Sequence, residues 1–397
     1  MKDWLKRGAL ATGLALGAAI LVGGGSTQAQ VLPSSDSTAG FLIFPKISVD
    51  VTADPTANRT DTLIQLTNTS TSLRRVHCFY IDADTWTPDN FTLELSPGEP
   101  LGWSVHDGIA NLGTADIAGS GKIPGRGDHF LGELKCIEVN DVLVPVPVLA
   151  NDLKGEATIF TVRGGAAAGE GSVDVRSYNA IGMQALNDSG SGAPASIGQQ
   201  CSFGTNAGTT CVDDSACKGG GTCAVTMCLG SNGGPECPAA DYASCPALLI
   251  LNNFFENAID PVNSKAITTR LTFVPCTENA LDQSPDAQPV TRVQFLVFNE
   301  FEQRMSTATI VQCYKDTALW EIDAKSQDAS IFNVSVQGTL VGQTRMRPVQ
   351  VPSDTTVGHG LLAIAEEFHG PDASVAVNLN ESGVLSGANF VRYLPTP

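Results

Sequence analysis

Positive charge is scarce in this chain. Its 397 residues hold 23 Lys and Arg against 41 Asp and Glu, with five His and a formal net charge of −18. So acidic a surface repels nucleic acid and anionic membrane, which excludes nucleic-acid binding as a function class and favours solubility or cation binding. Long apolar runs are missing as well. Beyond residue 30 no stretch approaches 18 uninterrupted apolar residues, so no helical membrane span is expected there. No amphipathic helix stands out, which turns attention to strands. Familiar catalytic signatures are also missing. There is no Gly-x-Ser-x-Gly in the mature chain, and His77, His106, His129, His359 and His369 form no His-Glu-x-x-His. Gly119-Ser120-Gly121-Lys122 lacks the upstream Gly and the following Ser or Thr of a P-loop. No Cys-x-x-Cys-His occurs, which excludes covalent haem on that motif.

What is present begins with targeting. Lys2, Lys6 and Arg7 precede an apolar and small-residue run from Ala9 to Val22, and Thr27 and Ala29 place small residues before a cut. Residues 1–29 therefore read as a secretory signal peptide. Cleavage there leaves 20 basic and 40 acidic residues. No Cys lies near the cut, which argues against a lipid anchor. Export fits the eleven cysteines, because disulfides persist in the periplasm or outside the cell. Eleven is odd, so at least one thiol is free or paired between molecules.

Seven cysteines crowd into 45 residues: Cys201, Cys211, Cys217, Cys223, Cys228, Cys237 and Cys245. The residues between them are mostly Gly, Ser, Thr, Asn and Asp, too polar to offset their own ordering entropy by burial. Cross-links must hold such a segment, or a metal, or it stays disordered. The intervening stretches are nine, five, five, four, eight and seven residues long, so of these pairs Cys223 and Cys228 alone come near the limit of the short Cys-x2–4-Cys pairs of zinc sites. Structural disulfides are the preferred reading, with no metal and no cofactor.

On either side of this segment, alternation marks strands. Phe41, Ile43, Ile47, Val49 and Val51 share one parity, with Lys46, Ser48, Asp50 and Thr52 on the other, the pattern of a half-buried strand. Further strands are expected at Thr62–Thr67, Arg75–Ile81, Phe91–Leu95, Leu131–Val139, Ala157–Val162 and Ser172–Tyr178. Ala247–Phe255, Ala266–Val274, Val293–Phe298, Thr309–Tyr314, Phe332–Leu340, Gly360–Ala365 and Ser374–Leu379 follow. The fold class is thus all-β: two antiparallel β-sandwich, Ig-like domains with a disulfide-rich loop module between them. The expected organisation is a leader at 30–40, domain 1 at 41–185, a Gly/Ser linker and Cys-rich module at 186–246, and domain 2 at 247–397. Leu63 to Asn68 with Val76 to Tyr80 parallels Phe295 to Asn299 with Val311 to Tyr314, as if the halves were copies of one unit. One bridge per sandwich is expected, Cys78–Cys136 and Cys276–Cys313.

Cys211-Val212-Asp213-Asp214-Ser215-Ala216-Cys217-Lys218-Gly219-Gly220-Gly221-Thr222-Cys223 resembles the Cys-rich signature of Dickkopf-type N-terminal modules. The likeness implies a disulfide knot and no signalling role. The Leu63 to Cys78 pattern resembles paired strands of Ig-like secreted modules, and the whole is similar to exported bacterial β-rich proteins of unassigned function.

Two carboxylate groups are candidate polar sites. Glu300, Glu302 and Arg304 share one face if that stretch is extended, and Glu366, Glu367 and His369 form the other group. A paired acid and base could hydrolyse glycosides, while the plainer reading is an ion-paired strand end or turn. Acidic loops such as Asp50 to Asp61 and Asp213-Asp214 could bind Ca²⁺, although none has EF-hand spacing. Arg126-Gly127-Asp128 spells an integrin-binding tripeptide. Asn58, Asn68, Asn90, Asn187, Asn333 and Asn380 head glycosylation sequons. Trp86 and Trp103 are either sugar platforms or core. The expected function is a non-catalytic exported protein, periplasmic, extracellular or on the outer surface, that serves structure or binds a surface, protein or glycan ligand. A secreted hydrolase using one carboxylate pair, or a subunit self-assembling through its odd cysteine or its strand edges, stands as the alternative.

Overall fold

A computed structural model describes residues 33–379, apart from 112–121, 165–171, 187–196, 231–240, 282–288, 350–359 and some shorter gaps. Residues 1–29, expected to be a signal peptide, and Asn187, Cys237 and Asn380 lie outside the described residues. The first half contributes β1 (Phe41–Asp50), β2 (Arg59–Asn68), β3 (Arg74–Asp82), β4 (Pro88–Leu95) and β5 (Pro100–Ser104). It continues with the short β6 (Gly108–Ile109) and β7 (Ile123–Pro124), then β8 (His129–Val139), β9 (Leu153–Val162), β10 (Val173–Asn179) and β11 (Ile181–Met183). Nine of these form one antiparallel sheet, ordered β10-β9-β2-β1-β8-β3-β4, with β11 on β1 and β5 on β2.

β1 is buried on both faces rather than half-buried. Leu42 and Phe44 enter the core enclosed by the sheet, while Phe41 and Ile43 enter a second core on its outer side. Pro45 has no N–H to give the ladder, and a bulge between Phe44 and Ile47 inserts one residue against β8. That residue reverses the parity, so Ile47 and Val49 join Phe44 in the first core. Trp103 and Trp86 are both core residues, one in each of these layers. Trp103 Nε1 donates to the Tyr80 hydroxyl at 2.7 Å.

The expected Cys78–Cys136 disulfide is present. The two cysteines are directly opposed on neighbouring strands β3 and β8, 4.1 Å apart at Cα, so the bridge staples strands within one sheet. The Ig-domain bridge instead crosses between two sheets.

The cysteine-rich segment holds a small hairpin, β12 (Gln199–Cys201) with β13 (Cys223–Val225), and disulfides Cys201–Cys217 and Cys211–Cys223. Cys228 is disulfide-bonded too. The carboxylates at Asp213 and Asp214 hold the turn: Asp213 accepts from Ser215 N at 2.9 Å and Asp214 from Cys223 N at 2.6 Å. The sulfurs of Cys201, Cys211 and Cys217 lie within 4.8 Å of one another, each already bonded to another sulfur. Beyond this knob the segment packs down. Met227, Leu229, Tyr242 and Cys245 are buried against Phe41, Ile43 and Ile137 on the outer side of the first sheet.

The second half comprises β14 (Leu249–Phe254), β15 (Ile267–Pro275), β16 (Val290–Asn299), β17 (Arg304–Gln312) and β18 (Lys315–Ala318). A short helix α1 (Val334–Gln337) precedes β19 (Gly342–Val349), β20 (Leu361–His369) and β21 (Ser374–Asn378). Sheets β14-β19-β16-β17 and β18-β15-β20-β21 face each other across a core that includes Leu249, Phe273, Phe295, Met346 and Ala363. The second of these sheets is covered on both sides. Leu361, Ala363 and Ala365 on β20 point into that core, while Leu362 and Ile364 reach the cores of the first half.

Three expectations are corrected here. Phe332–Leu340 is not a strand: Asn333 caps α1 by accepting from Ser335 N at 2.8 Å, and Gly338 ends it in the left-handed conformation. The repeat parallel fails in pairing, since β16 and β17 form a hairpin whereas β2 and β3 pair with different neighbours. What the halves share is the end of the first strand, where buried Asn68 and Asn299 each organise the following turn through their side-chain amides. Cys276 pairs with Cys245, not Cys313, and Cys313 is a buried free thiol. Burial, with a contribution from Glu133, pushes that thiol up to about 11. A buried, protonated thiol reacts slowly, which argues against this cysteine as a link between molecules.

Candidate functional site

The polar centre of the molecule starts at the β1 bulge. The bulged residue is Lys46, and the Tyr178 hydroxyl from β10 replaces the ladder hydrogen bonds lost there. It accepts from Lys46 N at 3.0 Å and donates to Lys46 O. Burial raises the Tyr178 phenol far above its usual range, so the donor is permanent. Tyr178→Phe leaves two buried backbone groups without a partner and is expected to cost about 2 kcal/mol in denaturant unfolding.

Lys46 points from the bulge onto the β18-β15-β20-β21 sheet of the second half. Its Nζ bonds Glu366 Oε2 at 2.5 Å and Asp316 Oδ1 at 3.1 Å. Arg176 on β10 donates through Nε to the other oxygen of Glu366 at 2.8 Å and through Nη1 to Asp174 at 2.5 Å. Arg270 on β15 donates to Asp316 Oδ2 at 3.0 Å, and Thr272 Oγ1 to Asp316 Oδ1 at 3.1 Å. The Ser374 hydroxyl closes the network on Asp174 at 2.6 Å. Three cations thus meet three carboxylates across the junction of the two halves. Burial opposes the charge on Asp316, but Lys46 and Arg270 outweigh it and hold its carboxyl below the usual range.

This network floors an open cleft of about 520 Å³. The volume lies in the range of small-ligand sites. Asp50, Asp82, Asp84 and His129 line it from the first half, and Arg270 and Phe368 from the second. The Arg176 guanidinium lies 5.1 Å from the Phe368 ring.

Of the six candidate residues, Glu366 alone belongs to this centre. Glu367 points to the opposite face of β20, where His369 joins it: Nε2 to Glu367 at 2.8 Å and Nδ1 to Asp260 at 2.8 Å. Glu300 and Glu302 do not share a strand face with Arg304. They occupy the tight turn between β16 and β17, with Glu302 at a φ of 60°, and Arg304 begins β17. The Asn299 side chain accepts from Phe301 N and Gln303 N at 3.0 and 2.9 Å, which fixes that turn. The plainer reading, an ion-paired strand end and a turn, describes these residues. Arg126 of the Arg-Gly-Asp triplet is folded back: it pairs with Asp89 and lies 4.8 Å from the Phe130 ring. Asn68 and Asn333 are fully buried, which closes those two sequons to a glycan. Among the proposed Ca²⁺-binding carboxylates, Asp61 is buried and accepts from Thr62 N, Ser104 Oγ and His106 N.

Lys46, Asp174, Arg176, Arg270 and Asp316 escaped sequence reasoning. β10 is inverted, with Asp174, Arg176 and Tyr178 inward and Val173 and Val175 exposed. Charged residues alternating through a β-branched strand were the signal that could have found it.

A second acid has no cation against it among the described residues. Glu256, between β14 and β15, is fully buried and accepts from Thr269 N at 2.7 Å and Gln327 Nε2 at 2.8 Å. Burial pushes it up to about 7, against those hydrogen bonds and with help from Glu367. The unfolded chain ionises this group near 4.5. The stability it contributes is therefore complete below that value and lost as pH rises through about 7, a change of about 3 kcal/mol. His369 slopes the same way at higher pH: burial lowers it, but Asp260 and Glu367 raise it above 6.5 overall. Glu256→Gln is expected to narrow the difference in melting temperature between pH 5 and pH 8, with Gln327 turning its amide to accept. An unchanged difference would contradict this assignment.

No family model matches the chain, and no curated protein matches it. Among solved structures, the crystal structure of Thermotoga maritima 1070 is similar over 37% of this chain and 95% of its own length, at 12% identity and a TM-score of 0.21. A likeness that low carries no argument. Among the described residues no helix is long and apolar enough to cross a membrane.

Proposed function

We propose that this is an exported, non-catalytic protein that serves surface structure or binding, organised as two Ig-like β-sandwich domains with a disulfide-rich module between them. Its resemblance to exported bacterial β-rich proteins of unassigned function belongs to the same reading. The observation that carries it is the state of the acidic candidates. Both oxygens of Glu366 are engaged by cationic donors, and Asp316 beside it is held below the usual carboxylate range, so neither supplies the proton that glycoside cleavage needs. Glu300 and Glu302 lie in an exposed turn, and Glu367 is engaged by His369. The disulfides fit export, and the cleft between the halves offers a place for a small surface or glycan ligand.

The test is a panel of glycan and ester substrates offered to the purified mature protein. The expected result is no hydrolysis. An activity abolished by Glu300→Gln or Glu367→Gln at unchanged melting temperature would replace this reading with the hydrolase.

A further inference from the structure

One end of the facing sheets in the second half gathers three loops. Phe254 and Asn299 both pair with Gly342, and Asn257 N donates to Ile267 O at 2.8 Å, so the β14–β15 loop, the β16–β17 turn and the segment leading into β19 are neighbours. Leu340 N donates to Glu300 Oε2 at 3.2 Å and Val334 N to Glu256 O at 3.1 Å, which ties the three together. Five large apolar side chains stand in solvent there: Val262 is 91% exposed, Phe301 72%, Ile259 63%, Leu340 62% and Val336 44%. Scattered single apolar residues need no explanation, but five on three adjoining segments ask for one.

The loops are already ordered. Asn299 fixes the turn that raises Phe301, and Asp260, clamped by His369, accepts from Val262 N at 2.7 Å. Docking on such a surface costs little ordering entropy. The most prominent aromatic, Phe301, stands between two exposed carboxylates, Glu300 and Glu302, with exposed Arg304 at the end of the same turn and exposed Lys265 in the β14–β15 loop, on a chain of net charge −18. A second copy would set that net charge against itself, and an anionic membrane would repel it. A basic partner is steered in and held.

We propose that this end is a docking surface for a protein partner that offers an apolar face bordered by Lys and Arg. It specifies the partner class for the binding reading above. The readout is complex formation, so a hydrolytic activity found elsewhere on the protein would leave it standing.

The probe is a labelled amphipathic peptide with a Leu face and a Lys face, followed by fluorescence anisotropy, beside a control peptide with Glu for Lys. Three proteins are compared: the wild type, the Phe301→Asp/Leu340→Asp variant and the Glu300→Gln/Glu302→Gln variant. All four positions are exposed, and an unchanged melting temperature verifies folding. The Lys peptide is expected to bind the wild type, to lose at least about tenfold in affinity to the first variant and a few-fold to the second. Hydrogen-exchange protection should fall on 257–265 and 299–304. Equal affinity for all three proteins would show diffuse adsorption to an acidic surface and overturn the proposal. So would equal binding of the Glu peptide, pelleting with phosphatidylcholine vesicles through Phe301, or a dimer that Phe301→Asp dissolves.

Discussion

Replacing Glu366 by alanine is expected to lower stability by about 3–5 kcal/mol, read as a fall in the urea midpoint at unchanged slope. The magnitude comes from what is left behind. Glu366 is 1% exposed, and both its oxygens hold cations whose own side chains are 7% exposed. Without it, Lys46 keeps Asp316 and Arg176 keeps Asp174, so two buried cations and the partly exposed Arg270 share two carboxylates. Breaking a buried pair costs far more than the pair contributes, because the orphaned charge has no water to turn to. Glu366→Gln should follow the alanine variant, since an amide keeps the shape and loses the charge. A loss below about 1 kcal/mol would mean that water already reaches the network from the cleft and that the apolar contacts of Leu362 and Ile364 carry the junction.

The double variant Cys78→Ala/Cys136→Ala should lose about 4 kcal/mol, measured the same way. The bridge closes a separation of 58 residues, and on the chain-entropy estimate that constraint on the unfolded state has this size. The native structure adds to the effect. Both cysteines are fully buried in the first core beside Tyr80, Leu93 and Leu134, so alanine leaves unfilled space. Because the bridge joins strands already paired in register, its loss should leave the pairing of β3 with β8 intact and shift the global transition. Unfolding that splits into two steps would contradict this. It would mean that the bridge holds together parts that otherwise melt separately.

Much of the fold was legible because alternation in strands such as Val293–Phe298 and Ala157–Val162 reports burial directly. Cys78–Cys136 was legible for the same reason, since both cysteines sit on strands of one block. Cys276 was not, because nothing local says that Cys245, at the end of a polar segment, is buried in the same core. β19 escaped notice: its inward residues include Gly342 and Thr344, so Met346 is its one large apolar inward residue. Phe332, Val334, Val336 and Leu340 share a parity by accident of a capped helical turn. At the polar centre, Glu366 was visible as an acid at a strand end, but its cations come from 190 and 320 residues away in sequence. A bulge at a proline and an inverted edge strand bring them there, and neither obeys the hydrophobic period that reveals the rest.

The whole account depends on oxidised sulfur holding the middle of the molecule, and peptide mapping without reduction addresses this most directly. Mature protein is alkylated before and after denaturation, digested and analysed by mass spectrometry. The account predicts linked peptides for Cys78–Cys136, Cys201–Cys217, Cys211–Cys223 and Cys245–Cys276, with Cys313 taking the label only after denaturation. Labelling of most cysteines in the native protein, or a Cys276–Cys313 peptide in place of Cys245–Cys276, would contradict it.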